Sequence, residues 1–210
     1  MANSMKNIAK TCFPKAIQVT DRFHVQKLAL EALQDIRIKH RWNAIDSENK
    51  DIKIAKEKSK EYLPEVFDNG DTRKQLLARS RYLLYKSPEK WTQNQYLRSK
   101  ILFEQYPDIK KAFNLNQSLR NIYNTKSSIK VAYTKLAHWY NEVEKSGFRA
   151  FNTIANTISI NYRSILNYFI NRSTNASAES FNAKIKAFRA QFRGVKNVEF
   201  FLYRLTTIFT

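Results

Sequence analysis

The chain has 210 residues, of which 43% are hydrophobic, and it carries 37 Lys and Arg against 18 Asp and Glu, for a formal net charge of +19. This length and apolar content are sufficient for one domain or two small ones, and the positive balance favours a polyanionic partner such as a nucleic acid. The single cysteine excludes an internal disulfide and a cysteine-based zinc cluster.

The amino-terminal segment Met1–Lys6 lacks the apolar core of a signal peptide, and no run of about 18 apolar residues occurs in the sequence. We therefore expect a cytoplasmic protein with no membrane partner. The sequence contains only 3 Gly and 4 Pro and no repeat or low-complexity tract, which favours long helices joined by short turns.

A short alternating segment, Ala16–Asp21, is the one convincing strand prediction. Ile17 and Val19 alternate with polar residues, and an amphipathic helical pattern follows immediately. Asp21 is thus predicted where a strand ends and a helix begins, which is where α/β folds place their chemistry. An N-cap role explains Asp21 equally well. A single strand leaves its backbone groups unpaired, so strands from elsewhere would have to complete it.

The middle of the chain is predicted to be helical. The charged segment 44–60 is interpreted as a solvated helix or a mobile connection. Apolar periodicity predicts helices over 73–85, 91–106, 108–123, 127–144 and 148–170, and a last one from about Asn197. Trp91, Trp139 and Tyr140 are interpreted as core residues rather than base-stacking groups, because their helical spacing is typical of packing residues.

A late helix, beginning near Ser173, carries two different faces. An apolar stripe runs from Phe181 to Phe192 and can be buried. The other face places one acid before an amide and three cations: Glu179, Asn182, Lys186, Arg189 and Arg193. An acid in a first turn is also favoured by the helix dipole alone, so this bland explanation of Glu179 stays open.

Three groups of motifs occur in order along nearly the whole chain. They are TDRFHV at Thr20–Val25, RYLL at Arg81–Leu84, and STNASAESFNAKIK at Ser173–Lys186 followed by RGVKN at Arg193–Asn197. In this order they resemble the bacterial insertion-sequence transposases of the DDE superfamily, in particular those of the ISL type.

The resemblance implies a mainly α chain. It also implies an incomplete ribonuclease-H-like α/β core, made of one core strand plus closing helices and interrupted by a long all-helical insertion. The implied domains are a partial core at 1–42, the helical insertion at 43–170 and the closing helices at 171–210.

The resemblance also implies a site. Asp21 and Glu179 match two of three catalytic carboxylates that bind two Mg²⁺ ions, with Mn²⁺ as an alternative. The implied partner is DNA, both transposon ends and target. We expect the following residues to contact it: Arg22, His24, Asn182, Lys186, Arg189 and Arg193. The other explanation of His24 is an N-terminal helix residue with no role, since histidines usually have a structural explanation.

The family pattern departs from this sequence at its first catalytic aspartate, which no residue here matches. The remaining aspartates follow Asp21 and lie outside a strand context. We therefore expect the chain to be catalytically incomplete alone, and to work with an upstream transposase polypeptide or as a homo-oligomer. Two alternatives stay open. One is a non-enzymatic basic helical DNA-binding remnant or regulator, and the other is a helical adaptor for other proteins.

Overall fold

Helices form nearly all the regular structure of the protein, whose computed structural model describes residues 3–172, 176–192 and 194–209. The prediction of a mainly α chain is confirmed. Within these residues, no helix combines the length and apolar character that crossing a membrane requires. The helices are α1 (Asn3–Cys12), α2 (Arg22–Glu57), α3 (Arg73–Arg79), α4 (Arg81–Tyr85), α5 (Gln93–Gln105), α6 (Pro107–Asn124), α7 (Ile129–Ser146), α8 (Arg149–Ile160), α9 (Tyr162–Asn171), α10 (Ala176–Gln191) and α11 (Val198–Phe209).

The chain divides into two compact units, a first unit over Met1–Asn171 and a second unit over Arg172–Thr210. The first unit contains α1 to α9, and the second contains α10 and α11. Helix α2 continues unbroken through positions 42 and 43. The division of the chain into a partial core, an insertion and closing helices stays a prediction.

The long helix α2 is central to the packing of the first unit. Its buried apolar face, which includes Val25, Ala29 and Leu33, packs against α3, α4, α6 and α8. Helix α6 adds contacts with α5 and α7, and α7 packs on α8 and α9. The predicted charged segment 44–60 is therefore largely the carboxyl half of α2, whose amino half is held by the core.

Local side-chain chemistry determines where several helices begin. Thr72 and Thr92 each accept a hydrogen bond from the backbone N–H three residues later, and Gln75 and Gln95 reciprocate. These two capping boxes satisfy backbone donors that the first turn of a helix leaves unpaired. Helix α7 ends differently, at Gly147, whose φ of 74° lies in the left-handed region that glycine adopts without strain.

Two predicted helices are each split by a polar residue. The helix predicted over 73–85 breaks at Ser80, whose hydroxyl donates to the Leu76 carbonyl at 2.6 Å. The helix predicted over 148–170 breaks at Asn161, whose side-chain amide donates to the Thr157 carbonyl at 2.8 Å. Such side chains compete with backbone N–H groups for the helix carbonyls. The apolar periodicity does not depend on this competition, so it continues through both breaks and does not reveal them.

The predicted strand at Ala16–Asp21 is not formed within the described residues, and the segment has no regular secondary structure. Its backbone bonds go to the region of α9 instead. The Thr20 N–H donates to the Ser164 carbonyl at 2.8 Å, and the Asn167 side chain donates to the Gln18 carbonyl at 2.9 Å. The prediction of a strand here was wrong for this structure, because helical partners satisfy groups that a sheet would otherwise pair. A ribonuclease-H-like core is thus not observed in the described residues and stays a proposal.

A buried carboxylate joins α3 and α5 to the preceding loop. The Asp71 side chain is fully buried and accepts hydrogen bonds from Arg79, from Arg98 Nε at 2.8 Å and from the Asn69 amide at 2.9 Å. The loop that presents it turns at Gly70, whose φ is 76°. The predicted turn over 68–71 therefore also carries an ion-pair network.

The second unit contains two helices with little buried surface. Phe188 on α10 is 9% exposed, and its ring stacks on Phe201 of α11 with centroids 5.5 Å apart. Phe181 and Phe192, at the two ends of the predicted apolar stripe, are 44% and 48% exposed. The stripe is therefore buried at its centre and open at both ends.

Candidate functional site

Asp21 lies at the start of α2, as predicted, but the segment before it is not a strand. Its carboxylate Oδ1 accepts the Phe23 N–H at 3.0 Å, so Asp21 is the N-cap of α2. The residue is 7% exposed. Neighbouring Thr20 is also buried and is tied to Ser164 by a hydroxyl contact of 2.9 Å. The cap bond therefore holds the carboxylate, and the contacts of Thr20 with Ser164 hold the adjoining backbone.

The two predicted DNA contacts beside Asp21 are in different situations. Arg22 is half-buried and donates from Nη1 to the Asn124 side chain at 3.3 Å, linking the start of α2 to the end of α6. His24 is exposed, and its ring lies edge-on to Phe23 with centroids 6.1 Å apart. Asp21, Arg22 and His24 thus form one group at one end of α2, with His24 the more accessible of the two predicted DNA contacts.

Glu179 and its neighbours form a second group, on α10. Glu179 lies in the first turn of this helix and is exposed, as are Asn182, Lys186 and Arg189. The four residues fall within about a quarter of the helix circumference at 100° per residue. With the other residues that the structure describes, neither Glu179 nor the two cations of this row form an ion pair. The structure therefore presents the predicted row to solvent. Arg193, its last predicted member, lies outside the described residues.

The two predicted metal ligands belong to different units, Asp21 to the first and Glu179 to the second. Within 3–172, 176–192 and 194–209, no three or more His, Cys, Asp or Glu side chains are grouped so that they could hold a metal ion. The donor type is nevertheless suitable, because Mg²⁺ prefers carboxylate oxygens and completes its shell with water and substrate phosphates. Each acid is thus a fitting single ligand, and the complete ligand set is a matter of proposal.

Sequence patterns did not reveal the residues that position Asp21. Ser164 and Asn167 bond to the segment before Asp21, and Asn124 receives Arg22. All three are polar residues on helices far away in sequence, where an Asn or Ser is usually read as solvent-facing. Only the packing of α6 and α9 identifies them.

Comparison with known proteins identifies the family of the chain. The chain matches the ISL3 family profile of DDE-type proteins, described as transposase, over residues 1–205. It is 31% identical over 118 residues to the transposase for insertion sequence element IS1557 from two strains of Mycobacterium tuberculosis. That alignment covers 54% of this chain and 25% of each relative, so it spans a quarter of the relatives' length. No solved structure matches the chain. Since the family profile covers almost every residue, this chain belongs to the ISL3 family of transposases.

Proposed function

We propose that this chain contributes two metal-binding carboxylates, Asp21 and Glu179, and a DNA-contacting helix to the cleavage and strand transfer of an insertion sequence. The observation that carries the proposal is α10, on which Glu179 opens an exposed row that continues with Asn182, Lys186 and Arg189. In a family of transposases, a carboxylate followed by an amide and cations suits a phosphodiester held beside a metal ion.

The chain's own residues have distinct roles in this proposal. Asp21 is held in position by its cap bond to Phe23 N–H, so its carboxylate needs little reorganisation to bind a cation. Lys186 and Arg189 bind phosphates that flank the scissile bond, and Asn182 donates to a phosphate oxygen. A pair of Mg²⁺ ions, with Mn²⁺ as an alternative, supplies activation of a water or 3′-hydroxyl and stabilisation of the leaving oxygen.

The DDE pattern requires a third carboxylate, and no residue of this chain is assigned to it. We propose that an upstream transposase polypeptide or a second copy supplies this acid and completes a ribonuclease-H-like site. Transposon-end and target DNA are the substrates of that assembly. This proposal predicts that Asp21 and Glu179 act only together with the third acid.

Transposition of a donor DNA bearing the element's terminal repeats tests the proposal in cells that produce the chain with its partner polypeptide. Glu179→Gln should reduce transposition by about a thousandfold or more, because a neutral amide is a poor ligand for Mg²⁺. Glu199→Gln is the matched control, since Glu199 is also exposed and in a first turn, that of α11. Equal effects at both positions would assign Glu179 to the helix dipole alone.

Asp21→Asn separates the two explanations of Asp21. Asparagine caps helices as well as aspartate does, so thermal stability should stay the same. Transposition should fall as far as for Glu179→Gln if the carboxylate binds a cation. Retained transposition would show that Asp21 acts as a cap only.

A second candidate is a non-enzymatic, basic, helical DNA-binding protein. It is favoured by the Phe23–Asp21 cap bond and by the first-turn position of Glu179, which explain both acids without a metal ion. In that case, Asp21→Asn and Glu179→Gln would leave DNA binding and every cellular effect of the chain intact.

A further inference from the structure

Three arginines lie near one another where α2 packs against α4, and no acidic residue in the described part of the chain forms an ion pair with them. Arg37 and Arg41 are one turn apart on α2, and Arg81 is the first residue of α4. The Gln34 amide joins the two helices by donating to the Arg81 carbonyl at 3.3 Å. In the part of the chain that the structure describes, none of these three arginines forms an ion pair. We call them the arginine trio.

Arg37 is the buried member of the trio. It is 5% exposed, donates from Nε to Gln34 Oε1 at 2.6 Å and from Nη1 to the Leu77 carbonyl at 2.9 Å. Both acceptors are uncharged, so the guanidinium is buried without a counter-charge. Such burial is unfavourable unless a negative group compensates it.

Neighbouring positive charges also disfavour the charged form of Arg37. Burial lowers the pKa of Arg37, and the positive charges of Arg41 and Arg81 lower it further, with only the Tyr85 phenol acting in the opposite direction. Like charges held together repel each other, and an anion placed among them removes that repulsion. One negative ligand would therefore stabilise the three positive charges of the trio.

The outer members of the trio face solvent and one is pre-oriented. Arg41 and Arg81 are exposed. The Arg81 guanidinium carbon lies 5.5 Å from the centroid of the Tyr82 ring, which is itself 65% exposed. Stacking on an aromatic ring limits the freedom of an arginine and leaves its N–H groups available for a ligand.

We propose that Arg37, Arg41 and Arg81 form a binding site for a backbone phosphate of DNA on the first unit. Guanidinium groups match phosphate oxygens in geometry and bind them through paired, charge-assisted hydrogen bonds. The exposed Tyr82 hydroxyl adds a donor of the kind that commonly contacts the DNA backbone. The choice of DNA rests on the proposed function and on the net charge of +19, whereas the site itself needs neither Asp21 nor Glu179.

Fluorescence anisotropy with a labelled mixed-sequence DNA duplex tests the site on the full chain, with EDTA present to exclude metal-dependent binding. The test variant is Arg41→Gln with Arg81→Gln. Its matched control is Arg149→Gln with Arg163→Gln, since Arg149 and Arg163 are exposed arginines of the same unit without an ion pair to another described residue. Both double variants lose the same charge.

The test variant should bind the duplex about a hundredfold more weakly, at roughly tenfold for each charged hydrogen-bond donor lost. The slope of log affinity against log salt should fall by about 1, because the two arginines contact one phosphate. Arg41→Lys with Arg81→Lys should recover most of the slope, because the charges are kept. Arg37→Gln should weaken binding as well, and if that variant does not fold, the Arg41 and Arg81 pair alone decides the question.

Equal losses in the test and control variants would overturn the proposal, since the effect would then be one of total charge. So would an unchanged DNA affinity together with arginine-dependent binding of polyglutamate, which would identify an acidic protein as the partner. The measurement is made in EDTA, so it does not depend on metal binding by the two carboxylates proposed above. Failure of the two-carboxylate proposal in transposition therefore leaves this measurement unaffected, and failure here leaves that proposal standing.

Discussion

The two compact units differ in how they treat their apolar side chains. The first unit buries a continuous core that includes Leu33, Leu119, Trp139 and Phe151, all at most 2% exposed. In the second unit, the described apolar side chains that are buried are Phe188 and Leu205, each 9% exposed. Its remaining large residues are mostly open to solvent: Phe181, Phe192, Val198, Phe200, Leu202, Tyr203 and Ile208.

Because of this difference, we expect the two units to differ in stability. A unit with a dense core folds on its own apolar burial, whereas two helices with few buried contacts belong to the low-stability end of a structure. The two predicted metal ligands come one from each unit. Asp21 lies in the unit with the dense core, and Glu179 lies on one of the two helices with little buried surface.

The largest expected effect is on the core of the first unit. Leu33→Ala should reduce the free energy of unfolding by about 3 kcal/mol, because it removes a fully buried side chain from the amino half of α2 and leaves a cavity. Urea denaturation followed by far-ultraviolet circular dichroism measures the change.

Leu28→Ala on the same helix is the matched control for Leu33. Leu28 is 39% exposed, so its removal should cost less than about 1 kcal/mol. Similar costs at Leu28 and Leu33 would contradict the view that α2 is the central packing element.

The next effect concerns the buried carboxylate of the first unit. Asp71→Asn should destabilise the protein by about 2 kcal/mol at neutral pH, because Arg79 and Arg98 lose their charged acceptor. Burial alone would raise the pKa of Asp71, but the hydrogen bonds from Arg98 and Arg79 outweigh it, and the pKa lies below its usual range.

That lowered pKa gives the mutation a pH signature. The stabilisation by Asp71 is complete above the pKa of an unfolded aspartate, about 3.9, and is lost as pH falls through the lower folded value. The stability difference between wild type and Asp71→Asn should therefore shrink on acidification below about pH 4. A difference that stays constant down to the acid transition would refute the ion-pair interpretation.

A smaller and more local effect is expected in the second unit. Phe188→Ala removes the ring that stacks on Phe201 and should destabilise α10 and α11 by about 1 kcal/mol, since little surface is buried around it. Hydrogen exchange should quicken in these two helices and stay the same in α2. Protection lost equally in α2 and α10 would mean that the units do not open independently.

The smallest effect is expected at the exposed aromatic residues of α11. Phe200→Ser should change the free energy of unfolding by no more than about 0.5 kcal/mol, because Phe200 is 56% exposed. A calorimetric or denaturant measurement that gave a loss as large as that at Phe188 would show that this ring is not solvent-facing in solution.

Much of the helical structure could be predicted from apolar periodicity alone, because the core faces of α2, α6, α7 and α9 repeat every three to four residues. The breaks at Ser80 and Asn161 could not, since each depends on one side chain competing for a backbone carbonyl. The segment before Asp21 was predicted as a strand because its apolar and polar residues alternate. That pattern does not indicate which groups will accept and donate the hydrogen bonds of its backbone, and here they are Ser164 and Asn167.

The candidate site was predicted in part for a similar reason. The cap at Asp21 and the exposed row on α10 follow from local sequence, and both lie where the pattern places them. The arginine trio does not follow from local sequence, because Arg81 meets Arg37 only through the packing of α4 on α2. The metal-binding role of Asp21 and Glu179 stays a prediction.

The unbroken helix α2 fixes the distances between residues along its length. Asp21 caps this helix and Arg37 lies sixteen positions further along it, which at about 1.5 Å per residue is an axial separation of about 24 Å. That length corresponds to about seven base pairs of duplex at 3.4 Å each. The unbroken helix therefore sets the axial distance between Asp21, the proposed metal ligand, and Arg37 of the arginine trio.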